Sequence, residues 1–234
     1  GVLVCGADAA PGAAAFVSKF KDRLFVVTNE SAYTPEELSA RLSHRSLQIP
    51  PNRLVAAGPI AIDKLKCERS DANILIRGAP GLHALAEIAG IRTVRRHESI
   101  DVVLLGRDPD FDVTALETIV RAVEDGAELW VTNPDLRHPI EDGRYTFQTG
   151  ALLQAVLACL DDVPVTVIGK PQPALFKVAL SRLDAHPEDA VMIGDNPRTD
   201  GAGALAAGIP FVLVGSAPDA SAANLEALLQ KNGQ

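Results

Sequence analysis

The sequence has too few basic residues and too short apolar runs for several common classes of protein. Its 22 lysines and arginines are outnumbered by 30 aspartates and glutamates, which gives a net charge of -8. Sequence-independent binding to nucleic acid requires a basic face, so no nucleic-acid partner is expected. No apolar run approaches the length of a membrane span, and the sequence does not open with the basic region and apolar stretch of a secretion signal, so we expect no membrane partner and take the cytoplasm as the default location.

Cysteine and methionine are scarce as well. Cys5, Cys67 and Cys159 lie far apart, without a CxxC pair or histidines at zinc-binding spacing. We interpret them as reduced, small hydrophobic residues rather than as ligands or nucleophiles. The single methionine, Met192, is internal and the chain starts abruptly at Gly1. We therefore expect that the natural chain begins before Gly1.

The residues that are present are typical of a globular α/β protein. The chain has 234 residues, 47% of them hydrophobic, which is enough for one large or two modest domains. Short apolar runs such as 24–27 alternate with helical patterns that carry clear start signals, including a capping box formed by Thr34 and Glu37 and a cap at Asp112. This alternation predicts a doubly wound, parallel sheet.

The pattern also predicts two units. A fresh alternation of strand and helix begins near residue 73, after a helical turn at 60–65. We predict a core domain over 1–60 and 165–234, and an inserted α/β domain over 61–164. In this interpretation the strand at 165–168 returns the chain to the core, and 135–149 is an irregular polar loop.

Three polar loops follow three of the predicted strands, and in a parallel sheet they share one edge, where ligands bind. The first has the hydroxyl of Thr28 next to Asn29, the second has the ammonium of Lys170, and the third has the carboxylates of Asp195 and Asp200. A hydroxyl, an ammonium and hard oxygen ligands for Mg²⁺ are suited to the anionic oxygens of a phosphoryl group. The loops therefore predict phosphoryl transfer.

These loops resemble motifs of a known family. Thr28-Asn29-x-Ser31, Gly169-Lys170-Pro171 and Gly194-Asp195-Asn196-x-Arg198-Thr199-Asp200 are similar, in order and spacing, to the second, third and fourth motifs of the haloacid dehalogenase (HAD) superfamily phosphatases. In the insert, Thr132-Asn133-Pro134-Asp135 and Gly150-Ala151-Leu152 resemble the NagD and p-nitrophenyl phosphatase branch, subclass IIA. We assign the second Thr-Asn pair, at 132–133, to the insert and not to the phosphate cradle.

The resemblance implies a Rossmann-like core with a mobile α/β cap, and Mg²⁺-dependent hydrolysis of a small phosphorylated metabolite through an aspartyl-phosphate. It also implies roles for individual residues and allows a homodimer through the cap. Thr28 and Asn29 would hold the phosphate, Lys170 would balance charge, Asp195 would bind Mg²⁺, and Asp200 would support the metal directly or through water. The cap loop 144–150, with Tyr145 and Gln148, is the candidate for substrate selection, and His138 is the one histidine that we consider near it.

The sequence departs from the family in its first motif. Gly1-Val2-Leu3 matches only the tail of Asp-x-Asp-Gly, so the nucleophile would lie three residues before Gly1 and the general acid immediately before it. A non-catalytic, phosphometabolite-binding or regulatory protein is therefore the alternative. A mutase or a dehalogenase on the same scaffold is a weaker one.

Overall fold

The computed structural model describes residues 1–96, 98–140 and 144–231. The strands are β1 Val4–Cys5, β2 Asp8–Ala9, β3 Val26–Thr28, β4 Leu54–Ala56, β5 Ile74–Arg77, β6 Val102–Leu105, β7 Glu128–Val131, β8 Arg137–Pro139, β9 Tyr145–Phe147, β10 Val165–Val167, β11 Met192–Gly194 and β12 Phe211–Leu213. The α-helices are α1 Ala13–Phe20, α2 Pro35–Ser43, α3 Ala57–Glu68, α4 Pro80–Ala89, α5 Val113–Glu124, α6 Thr149–Leu157, α7 Ala174–Leu183, α8 Ala202–Ala206 and α9 Leu225–Lys231. Single 3₁₀ turns cover Pro51–Arg53 and Pro187–Asp189, and a π-helical turn covers Pro197–Gly201.

Two parallel strand pairs form the core unit, and helices cover both of their faces. Strand β3 pairs with β4 and β11 pairs with β12. Val26, Leu54 and Ile193 pack with helices α1, α2 and α9 on one side. On the other side, Met192 and Phe211 pack with α7 and α8. Parallel strands with helices on both faces confirm the predicted doubly wound α/β fold.

The inserted sheet is a second parallel sheet, with the strand order β10-β7-β6-β5. Helices α3 and α4 cover one face of it and α5 and α6 cover the other. The pairing of Val165–Val167 with Leu129–Val131 differs from our expectation that this strand returns the chain to the core. An apolar strand of three residues looks the same in sequence whichever sheet it joins, so only the pairing distinguishes the two cases.

Helix α3 packs against both units at once. Its Ile60 and Leu65 belong to an apolar cluster that contains Val55 of the core pair and also Ile76 and Trp130 of the inserted sheet. The predicted limit at 60/61 falls inside this helix, and the limit at 164/165 separates β10 from the sheet that it extends. The division into two domains remains a prediction, but these limits do not coincide with breaks in the packing.

The local signals in the sequence had mixed outcomes. The capping box of α2 is confirmed, since Glu37 N donates to Thr34 Oγ1 and Thr34 N donates to Glu37 Oε2. Asp112 caps α5 as predicted. The turn predicted at 60–65 is instead a full helix that begins at Ala57, with Pro59 accommodated in its first turn, where a missing N–H costs little.

The loop predicted at 135–149 is also different. Residues 137–139 and 145–147 pair as an antiparallel hairpin, β8 with β9, which we call the cap hairpin. The residues of the hairpin do not alternate regularly between apolar and polar. A strand needs this alternation when one of its faces is buried, and the described residues of the hairpin are mostly exposed. Across the described residues, no helix is both long and apolar enough to traverse a bilayer.

Candidate active site

Lys170 and Asp200 form the buried centre of the site. Lys170 follows β10 and Asp200 lies in the π-helical turn after β11, yet Lys170 Nζ is 2.7 Å from Asp200 Oδ1. Their side chains are only 12% and 5% exposed. Lys170 Nζ also donates to the carbonyl oxygen of Val27, at 3.1 Å. The ammonium is therefore fixed directly behind the end of β3, where Thr28 follows.

The second oxygen of Asp200 organises the loop that carries Asp195. Asp200 Oδ2 accepts hydrogen bonds from the backbone N–H groups of Asp195 and Asn196, both at 3.2 Å. A Cβ atom on Gly194 would lie 2.4 Å from the Asp200 Cβ, so only glycine permits this close approach. Both oxygens of Asp200 are thus engaged by the chain, whereas the Asp195 side chain is 46% exposed.

Thr28 and Asn29 lie at the end of β3 and differ in what their side chains do. The Thr28 hydroxyl oxygen accepts the N–H of Glu30 at 3.2 Å, which leaves its hydrogen able to donate. The Asn29 side chain is already bonded: its Oδ1 accepts the N–H of Lys170 at 2.7 Å, and its Nδ2 donates to the Lys170 carbonyl at 3.2 Å and to Asp135 Oδ2 at 3.0 Å. The Asn29 amide therefore joins two other segments of the chain.

Asp195 is the carboxylate that fits a cation. Its side chain is 46% exposed, and its Oδ2 lies 3.5 Å from the Gly1 nitrogen, so the start of the sequence lies beside it. Among the described residues, no three histidine, cysteine, aspartate or glutamate side chains are grouped so that they could hold a metal ion. A metal at Asp195 would therefore need further oxygen ligands besides the described carboxylates, such as water, backbone or substrate oxygens.

The cap hairpin carries the residues predicted to select the substrate. Tyr145 is 50% exposed, and the Arg137 guanidinium lies over its ring at 4.2 Å. Gln148 follows the hairpin at the start of α6, where its N–H donates to the Leu136 carbonyl. These contacts hold the backbone of the loop and leave the Tyr145 ring accessible on one side.

His138 lies on β8 and is within electrostatic range of the carboxylates of the site. The surrounding protein removes water from the imidazole and so lowers the pKa of His138. The carboxylates of Glu30, Asp135 and Asp195 act in the opposite direction.

Asp135 and Asn133 were not predicted as site residues. Asn133 Nδ2 donates to the Asn29 carbonyl at 2.9 Å, and Asp135 accepts from the Asn29 side chain. The repeated Thr-Asn pair was the available signal. We assign this pair, Thr132 and Asn133, to the insert, and it does follow β7 of the inserted sheet. Through Asn133, however, it also bonds directly to Asn29 at the end of β3.

Models of the HAD-like hydrolases match two parts of the chain. A haloacid dehalogenase-like hydrolase model matches residues 1–92, which contain the first polar loop. A HAD-hydrolase-like model matches residues 167–230, which contain the other two.

Individual relatives extend this similarity over nearly the whole chain. A dihydroxyacetone phosphatase from Corynebacterium glutamicum is 33% identical over 219 residues, covering 92% of this chain and 78% of that protein. The structure of NagD from E. coli K-12 has a TM-score of 0.82 and 26% identity, covering 93% of this chain and 86% of NagD. A glycerol phosphate phosphatase from Mycobacterium tuberculosis, solved with magnesium, has a TM-score of 0.83 and 29% identity, covering 91% of this chain and 64% of that one.

The protein has a Rossmann-like fold with an inserted α/β unit and three polar loops at strand ends. These features indicate that its class is that of the phosphate-handling α/β hydrolases. The chain belongs to the haloacid dehalogenase-like hydrolases, in the phosphatase subclass IIA that includes NagD and the p-nitrophenyl phosphatases. It is by this membership a phosphoric monoester hydrolase.

Proposed function

We propose that the natural protein is a Mg²⁺-dependent phosphatase of small phosphomonoesters that works through an aspartyl-phosphate. The observation that carries this proposal is the placement of three distant loops around one centre. Lys170 contacts Asp200 and the carbonyl before Thr28, and Asp200 in turn holds the backbone of Asp195. An ammonium, a hydroxyl and an exposed carboxylate are thereby collected at one edge of parallel strands, where a phosphate dianion can be bound.

Each of the predicted residues has a role in this proposal. Thr28 donates its hydroxyl to a phosphate oxygen, and Lys170 neutralises the charge of the phosphate and of the attacking carboxylate. Asp195 is the metal ligand, and a bound Mg²⁺ would supply charge compensation for the phosphoryl oxygens. Asp200 supports the site through the Asp195 loop and Lys170, because both of its oxygens are occupied. Asn29 holds the loop that surrounds the phosphate.

The nucleophile and the general acid of the proposal are aspartates encoded before Gly1. Gly1 lies 3.5 Å from Asp195, so residues attached to it have access to the same centre. The first aspartate would attack phosphorus and release the alcohol, which takes its proton from the second aspartate. Water would then give a proton to the second aspartate and attack phosphorus, which releases inorganic phosphate and regenerates the first carboxylate.

The substrate in this proposal is a nucleotide, sugar or cofactor phosphate, with triose and polyol phosphates favoured. Relatives named for dihydroxyacetone and for glycerol phosphate support the narrower choice. We assign selection of the leaving group to Tyr145 and Gln148, together with His138. These residues belong to the cap hairpin and the start of α6, which lie outside the buried centre.

The test is magnesium-dependent hydrolysis of p-nitrophenyl phosphate by the full-length natural protein. We expect turnover that requires Mg²⁺ and falls at least about 100-fold in Asp195→Asn. Undiminished turnover in this variant, or none in the natural protein, would reject the proposal. Phosphate binding without any turnover would instead support the non-catalytic alternative, and turnover of a haloacid without Mg²⁺ would support a dehalogenase.

We also propose that the protein forms a homodimer through its cap. Phe147 on the cap hairpin is 74% exposed, and Leu136 and Ile140, which flank β8, are 55% and 40% exposed, so this part of the chain offers apolar side chains that a second copy could cover. Light scattering of the natural protein should give twice the monomer mass, and Phe147→Ser should shift it towards the monomer. A monomeric natural protein would reject this part.

A further inference from the structure

The Asn29 side chain is held in one orientation because one of its partners is a hydrogen-bond donor and another is an acceptor. The Lys170 N–H is a donor and requires the amide oxygen of Asn29, at 2.7 Å. The Asp135 carboxylate is an acceptor and requires the amide nitrogen, at 3.0 Å. If the amide turned by 180°, nitrogen would face the Lys170 N–H and oxygen would face the carboxylate. Both hydrogen bonds would then be lost, so the two partners fix the orientation of Asn29 together.

Asp135 is itself held from behind by the start of α6. The Gly150 N–H donates to the Asp135 carbonyl at 2.8 Å, and the Asp135 N–H donates to Asn133 Oδ1 at 3.2 Å. A Cβ atom on Gly150 would lie only 2.2 Å from the Pro134 carbonyl oxygen, so glycine allows the helix to approach this closely. The turn that presents the Asp135 carboxylate is therefore held by contacts with α6 and with Asn133.

On the Lys170 side, the same contacts connect the cap to the reactive centre. The Asn29 amide bonds both the N–H and the carbonyl of Lys170. The Lys170 side chain then reaches Asp200 at 2.7 Å. A shift of the Lys170 backbone would move its ammonium, because the side chain extends from that backbone between two fixed acceptors.

We infer that Asp135 is a positioning residue for the phosphatase reaction: through the Asn29 amide, it fixes the backbone of Lys170 and so the place of the ammonium. This inference rests on the proposed function. It assigns to the inserted unit a part in the chemistry of every substrate, in addition to any part in selecting one. Asp135 need not touch the substrate to have this effect.

The test compares Asp135→Ala with Asp135→Asn in the full-length natural protein. Asparagine keeps an acceptor oxygen for Asn29 Nδ2, whereas alanine keeps none. With p-nitrophenyl phosphate and Mg²⁺, we expect alanine to lower kcat about 10- to 100-fold with KM changed less than about threefold, since a displacement of about 1 Å has costs of this size. We expect asparagine to restore kcat to within about threefold of the natural protein.

A double-mutant cycle with Asn29→Ala adds a second test. If Asp135 acts through Asn29, the double variant is no slower than Asn29→Ala alone. Asp161→Ala, an exposed change elsewhere in the inserted unit, is the matched control and leaves kcat unchanged. A kcat of Asp135→Ala equal to that of the natural protein, equal losses in Asp135→Asn and Asp135→Ala, or losses that multiply in the double variant would overturn the inference.

Hydrogen exchange separates this inference from the proposed function. The Lys170 amide is bonded to Asn29, so its exchange should be at least about tenfold faster in Asp135→Ala than in Asp135→Asn. Unchanged exchange would contradict the positioning role even in an active enzyme. Faster exchange in a protein without any turnover would support the contact while rejecting the phosphatase. Unfolding temperatures of all variants identify any that fail to fold.

Discussion

The two ends of the candidate site are built in opposite ways. At the inner end, the side chains of Lys170 and Asp200 are 12% and 5% exposed, and they bond to backbone groups of β3 and of the loop after β11. At the outer end, Tyr145 and Phe147 of the cap hairpin are 50% and 74% exposed. A phosphate group is the same in every phosphomonoester, so a rigid inner end suits it. Leaving groups differ, and the outer end presents exposed side chains to them.

The largest effect should follow from removing the charge at the inner end. Lys170→Met leaves the Asp200 carboxylate buried without its partner, which is expected to cost about 3–5 kcal/mol of stability. It also removes a charge from the phosphate site, so kcat/KM should fall about 1,000-fold. Urea unfolding and steady-state kinetics measure the two effects. Lys177→Met, an exposed change on α7, is the control. An active and stable Lys170→Met variant would contradict the importance that we assign to the buried inner end.

A smaller effect is expected from crowding the inner end without changing its charge. A Cβ atom on Gly169 would lie 2.5 Å from Asn29 Oδ1 and 2.7 Å from the Thr132 carbonyl oxygen. Gly169→Ala must therefore displace the Asn29 amide, and we expect kcat to fall about 10- to 100-fold. Crystal structures or amide exchange at Lys170 should show the displacement. Full activity would mean that the inner end is more adaptable than its contacts indicate.

Changes at the outer end should alter preference rather than chemistry. Tyr145→Ala removes an exposed ring, so the ratio of kcat/KM values for dihydroxyacetone phosphate and glycerol 3-phosphate should change about 3- to 20-fold. The factor by which Mg²⁺ increases turnover should stay the same, because the inner end is unchanged. Parallel assays of both substrates measure this ratio. A uniform loss on both substrates would place Tyr145 with the inner end.

The smallest effect is expected away from both ends, at Glu128 on β7. Hydrogen bonds from Arg69 and then from the Trp130 indole lower the pKa of Glu128 in the folded protein. A lowered folded pKa adds stability above the unfolded pKa, and this stability is lost as the pH falls through the folded value. Glu128→Gln should lower the Tm by about 1–3 °C at neutral pH, since the pair is exposed.

The pH dependence provides the control for this last change. The difference in Tm between Glu128→Gln and the natural protein should shrink in acid, as the natural carboxylate becomes protonated. Turnover at neutral pH should be unaffected, because the described hydrogen bonds of the Glu128 carboxylate come only from Arg69 and Trp130. A difference that grows in acid would contradict the direction of the pKa.

The inner end follows from local sequence patterns more directly than the outer one. Thr28 ends a short apolar strand, Lys170 and Asp195 follow two others, and a strand that ends in a polar loop is a local pattern. The contact between Asn29 and Asp135 joins residues 106 positions apart, and no local pattern reports it. The cap hairpin was also missed, since exposed strands need no apolar alternation.

The sharing of helix α3 between the two units has a consequence for protein engineering. The helix packs against Val55 on one side and Trp130 on the other. A chimera that receives a relative's insert with a junction inside Ala57–Glu68 would join two half-helices shaped for different neighbours. Such a chimera should instead take the whole helix from the relative, together with the relative's residues that face it. Its thermal unfolding should then remain a single cooperative transition.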